Sequence, residues 1–138
     1  MSPENTKKLL DIFPEAFADL DKRSCMALFG FECGDGWYDL LKEALIEIKA
    51  ISDRNPGIDF KVAQIKEKFG TLRFYWDGKD YERETSEPDS IDLAIERAEA
   101  RSAKECEKCG AQATTKRRGY WVYTQCDACD KIFATPCE

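Results

Sequence analysis

The chain has 138 residues, 43% hydrophobic and 35% charged, with a formal net charge of −6, seven cysteines and no histidine. That composition belongs to a folded domain large enough to bury a real core, and it excludes a disordered chain. Without histidine, no Ser-His-Asp or Cys-His pair can form within the chain, so acid–base work would fall to Asp, Glu, Lys, Tyr or Cys.

Charge is unevenly distributed. Residues 1–100 carry 14 Lys+Arg against 22 Asp+Glu, and residues 101–138 carry 7 against 5. An acidic body argues against bulk binding to nucleic acid, which needs phosphate neutralisation, but the C-terminal part escapes this argument. No apolar run approaches the roughly 20 residues that span a bilayer. The start, Met1 to Thr6, has no basic stretch followed by an apolar one. The expectation is a cytoplasmic protein without a membrane partner.

Residues 3–20 read as helical, with Leu9, Phe13, Phe17 and Leu20 on one side and Pro14 splitting the segment. Residues 24–33 are apolar without a clean period and suggest a buried loop or short strand. Gly34-Asp35-Gly36 is a turn and cap signal before the clearest helix, 36–51, where Trp37, Leu40, Leu41, Ala44, Leu45, Ile48 and Ile51 share a face. Asn55-Pro56-Gly57 ends it. Residues 58–77 read as a β-hairpin connected through Glu67-Lys68-Phe69-Gly70. Leu72, Phe74 and Trp76 would face the core, and Arg73 and Tyr75 the other side. The acidic stretch 77–88 is a candidate mobile loop. A helix over 90–104, capped by Asp89 or Ser90, carries Ile91, Ala94, Ile95 and Ala98 on one face.

The strongest motif is Cys106-x2-Cys109, sixteen residues, then Cys126-x2-Cys129. Two residues between thiolates let one tight turn present both sulfurs to a single tetrahedral ion, and the separation suits a four-cysteine zinc site. A redox pair or an iron–sulfur cluster could use the same residues. Four thiolates close the zinc shell, so the site reads as structural. Tyr120 to Tyr123 read as a strand and Asp130 to Phe133 as a short helix, which suggests a treble-clef-like module, with a ribbon-like one as the alternative. Cys25, Cys33 and Cys137 remain as free thiols. The predicted class is α+β: helices on a β-hairpin or small antiparallel sheet over 1–104, with the zinc module at 105–138 and both in one compact unit.

Lys66, Lys68, Arg73 and Tyr75 gather three cations and a phenol within ten residues, able to hold an anion or an acidic partner. Glu67 and Asp35 would join them only if buried beside the same cleft. A solvated face with cross-strand ion pairs would use the same residues. The triplet Lys116-Arg117-Arg118, between the cysteine pairs, could touch phosphate.

Gly34-Asp35-Gly36-Trp37, the string Gln64-Ile65-Lys66-Glu67-Lys68-Phe69-Gly70-Thr71-Leu72-Arg73-Phe74-Tyr75 and the two cysteine pairs together resemble a group of small phage- and prophage-encoded proteins of unassigned function. The resemblance spans roughly residues 33–130. It implies a phage context inside a host cell and no particular reaction. Three readings follow: an interaction or inhibitor module acting on a host protein, a nucleic-acid binder using the C-terminal module, or a binder of a small nucleotide-like anion at the hairpin.

Overall fold

The computed structural model describes residues 1–79 and 88–134. Most of the stretch 77–88 and Cys137 lie outside the described residues. Helix α1, Pro3–Ile12, starts with Ser2 as its cap, the Ser2 hydroxyl accepting from Asn5 N–H at 3.2 Å, and a 3-10 turn over Pro14–Phe17 follows. Proline tolerates both first-turn positions because no donor is lost there.

Residues 24–33 contain the expected short strand only at their end, and a helix precedes it. They form a five-residue helix α2, Cys25–Phe29, and a two-residue strand β1, Phe31–Glu32. Ser24 caps the helix through Ala27 N–H, and Gly30 at φ 63° turns the chain out of it. Five residues are too few to print a period, which is why the helix is not legible as one.

A 3-10 turn over Asp35–Trp37 leads into α3, Tyr38–Arg54. Strands β2, Asp59–Lys68, and β3, Thr71–Lys79, form the antiparallel hairpin, and β1 joins β2 in parallel. The sheet order is therefore β1-β2-β3. The connection is the two residues Phe69-Gly70, at φ 53° and 84°. Both positive, these mark the mirror-image turn that matches strand twist, so Glu67 and Lys68 belong to the strand. A bulge between Val62 and Gln64 keeps Val62 and Ile65 both buried.

Helix α4, Pro88–Ser102, packs on α3 and along β3. Arg97–Glu47 and Arg101–Glu43 pairs link the two helices. The outer edge of β3 is not left open. Leu72 N–H donates to Ser102 Oγ at 2.8 Å and Phe74 N–H to Glu99 at 3.1 Å. Side chains of α4 thus take donors that would otherwise invite another strand.

One buried cluster joins Leu9, Phe13, Trp37, the α3 stripe, Phe60, Val62, Ile65, Leu72, Phe74 and Ile91, Ala94, Ile95, Ala98 of α4. Strands β4, Thr114–Arg118, and β5, Trp121–Gln125, form a separate hairpin, followed by α5, Asp127–Ala134. The class is α+β, with small sheets and a C-terminal cluster of four cysteines. Among the described residues, no helix is long and apolar enough to cross a membrane.

Candidate metal centre and binding face

The first cysteine pair sits in a tight turn. Gly110 N–H donates to Cys106 O at 2.8 Å, with Gly110 at φ 81°, and Cys106 N–H donates to Ala111 O at 2.8 Å. The second pair sits at the start of α5, where Asp130 N–H donates to Cys126 O at 2.9 Å. The four Sγ atoms of Cys106, Cys109, Cys126 and Cys129 all lie within 4.8 Å of one another. Cys109 and Cys126 Sγ are 3.5 Å apart. A tetrahedral ion with bonds near 2.3 Å needs sulfur separations of about 3.8 Å, so the cluster could hold one metal ion.

The thiols differ without a metal. Burial and the shared hydrogen bonds of Cys126, Cys109 and Cys106 push Cys129 up to about 12. Burial also opposes ionisation at Cys106, but backbone N–H groups of Cys126, Cys109 and Lys108 outweigh it and bring Cys106 down to about 7. Cys106 thus ionises more readily than Cys129, and a cation bound between them would displace the proton that Cys129 holds.

The turn around the first pair rests on Gly34-Asp35-Gly36-Trp37. Gly36 N–H donates to Glu107 O at 2.8 Å, Gly34 N–H to Glu107 Oε2 at 2.9 Å, and Trp37 Nε1 to Glu105 O at 2.8 Å. A Cβ on Gly36 would lie 2.0 Å from Cys106 O, and one on Gly34 would lie 2.4 Å from Glu107 O. Backbone lies directly on backbone here, which only glycine permits. The hairpin turn makes a second contact, Thr124 Oγ1 donating to Gly70 O at 2.6 Å. The segment Gly34–Trp37 and the hairpin turn at Gly70 therefore hold the cysteine turn and the β4–β5 hairpin.

The other predicted residues divide. Lys66 and Arg73 stand directly opposite each other on β2 and β3, and Gln64 opposite Tyr75. Both pairs lie on the face away from the core. Lys68 shares that face and its ammonium lies 5.6 Å over the Phe69 ring. Glu32 is the β1 neighbour of Lys66, and its carboxylate accepts from Gln64 Nε2 at 3.4 Å. Among the described residues, neither Lys66 nor Arg73 makes an ion pair. Glu67 points to the opposite side, level with Leu72, and its Oε2 accepts from Gly70 N–H at 2.9 Å. Asp35 is engaged elsewhere. It accepts from Ser2 N–H at 2.8 Å and Asn5 Nδ2 at 3.0 Å, and these bonds hold its carboxyl below the usual range.

Of the basic triplet, Lys116 pairs with Asp127 at 3.0 Å and Asp130 at 3.4 Å. Arg118 Nε donates to Tyr123 Oη at 2.9 Å, and Tyr123 Oη donates to Asp130 at 2.7 Å. Arg117 Nε donates to Gly119 O at 3.1 Å. Cys33 is buried and its thiol is pushed up to about 12 by that burial and by Glu107, so it is an unreactive thiol. Cys25 is half-buried.

Glu107 is the residue that sequence reasoning missed. Burial raises its carboxyl, while its bond to Gly34 N–H works against the rise. A carboxylate between two cysteines is an unremarkable surface residue until a partner 73 positions away is known. The paired glycines before Trp37 were the available signal, as a place of close backbone approach.

No protein-family model matches this chain, and neither a curated protein nor a solved structure matches it.

Proposed function

We propose that this chain is a zinc-stapled interaction module that binds an acidic protein surface through the outer face of its β2–β3 sheet. The observation that carries the reading is the Lys66–Arg73 pair. Like charges directly opposite on a sheet are destabilising, and this pair has no carboxylate bonded to it among the described residues. A face that keeps such a cost is explained by an anionic partner that offsets it. Lys68 extends the charge, and Tyr75, 47% exposed, adds an amphipathic contact beside it.

Zinc is the ion that four thiolates at this spacing suit best, and its shell would be closed, so its role is to hold structure. A cysteine turn, a hairpin and a second pair at a helix start make the module treble-clef-like. The motif resemblance supplies the setting, a phage-type protein acting on a host factor in the cytoplasm.

Parallel affinity capture from bacterial lysate tests this, comparing wild type with Lys66→Glu/Arg73→Glu. A protein retained by the wild type and lost by the variant is the predicted result. Identical capture by both would sink the proposal. Arg73 and Tyr75 on one face also suit a nucleotide-like anion. A thermal-shift panel of nucleotides separates that reading, since stabilisation by a nucleotide, abolished in Arg73→Ala, would favour the small ligand.

A further inference from the structure

The tip of the β4–β5 hairpin is unlike the rest of the surface. Gly119 at φ 60° turns the chain between Arg118 and Trp121, which face each other across the strands. Tyr120 at the tip is 99% exposed and Trp121 is 41% exposed. Trp121 is backed by Tyr123, which is buried, at 4.6 Å between ring centroids and 32° between planes. Arg118 is held in place by Tyr123 and Asp130. Arg117 makes no ion pair among the described residues.

We infer that this tip is a contact for single-stranded nucleic acid, with Tyr120 and Trp121 stacking on bases and Arg117 meeting phosphate. Charge favours this partner. The five residues Arg117 to Trp121 hold no acid, and Arg117 is a cation without an ion pair among the described residues, on a C-terminal segment with 7 Lys+Arg against 5 Asp+Glu. Residues 1–100 carry 14 Lys+Arg against 22 Asp+Glu, so the body as a whole gives a strand less attraction than the C-terminal segment does. The aromatics select single strands over duplex, because only an unstacked base offers its face to a ring. With Lys116 and Arg118 already neutralised by Asp127 and Asp130, affinity comes from stacking and from one cation.

The contact is independent of the sheet face, and the test keeps the two apart. Labelled oligothymidylate and oligouridylate of about twelve nucleotides are titrated with the full metal-loaded chain and followed by anisotropy. Saturable binding of both is expected, with affinity about tenfold lower in Tyr120→Ala, a fully exposed substitution that leaves folding intact. The log–log salt slope should lie near −0.7, the value for about one phosphate contact on a single strand, and flatten in Arg117→Ala. Arg73→Glu should bind like wild type, so failure of the sheet-face reading would not touch this one. No saturable binding, equal affinity of Tyr120→Ala and wild type, or tighter binding of duplex than of single strand would each overturn the inference.

Discussion

Replacing Gly36 with alanine adds one methyl group at the point where the cysteine turn rests on the body. The new Cβ would lie 2.0 Å from Cys106 O and 2.5 Å from the Glu107 carbonyl carbon. Both are backbone atoms, so no side chain can swing aside. Either the cysteine turn or the Asp35–Trp37 turn must move. Overpacking a rigid contact costs about 1–3 kcal/mol. The Gly36 and Trp37 hydrogen bonds to Glu107 O and Glu105 O would stretch as well, each worth about 1 kcal/mol. The expected loss is therefore about 3 kcal/mol, a large share of the roughly 5–15 kcal/mol that holds a domain folded. Urea unfolding of the metal-loaded protein, followed by tryptophan fluorescence, reads this as a lower midpoint at unchanged slope. The fully buried Trp37 ring reports on the same contact. If Gly36→Ala lay within about 0.5 kcal/mol of wild type, the close approach would have no energetic weight and the seat would be misread.

Other outcomes follow from the same contacts. Arg73→Glu turns a like-charge pair into an opposite-charge one and should raise stability by about 0.2–1 kcal/mol while removing partner capture, a combination that separates function from folding. Ser102→Ala leaves Leu72 N–H buried without its acceptor and should cost about 1–3 kcal/mol by urea unfolding, where a surface serine would cost almost nothing. Metal affinity, measured by chelator competition, should fall with pH. Below a value of about 12 the metal must displace the proton on Cys129, and below about 7 that on Cys106 too, so the fall should steepen in acid. An affinity independent of pH would contradict thiolate ligation.

The elements whose side chains repeat over several turns were legible in the sequence. The α3 stripe from Leu40 to Ile51 and the Leu72–Phe74 alternation mark one face each, and both faces are buried. The cysteine spacing places four sulfurs together because it is a local rule applied twice. What escaped is long-range or too short. Helix α2 and strand β1 span seven residues in all and depend on Ser24 and on pairing with Ile65 and Lys66. Glu67 and Lys68 read as turn residues because Phe69 is an unusual choice for a positive φ, yet Phe69-Gly70 forms the whole connection. The α4 side chains Glu99 and Ser102 protect β3 through bonds 25 and 30 positions apart in the chain. Asp35 and Glu67 looked like acid–base candidates. Each instead braces backbone, Asp35 at the start of α1 and Glu67 at the hairpin turn. The opposed Lys66–Arg73 pair was half visible, since the cations were evident but their register was not.

The proposed zinc ion at Cys106, Cys109, Cys126 and Cys129 would staple the C-terminal module to its glycine seat. Elemental analysis of the purified protein, prepared without chelator, tests it directly. The prediction is one zinc per chain in the wild type and none in Cys109→Ser/Cys126→Ser. Protein that is folded yet carries no metal, or carries iron with sulfide in place of zinc, would contradict it.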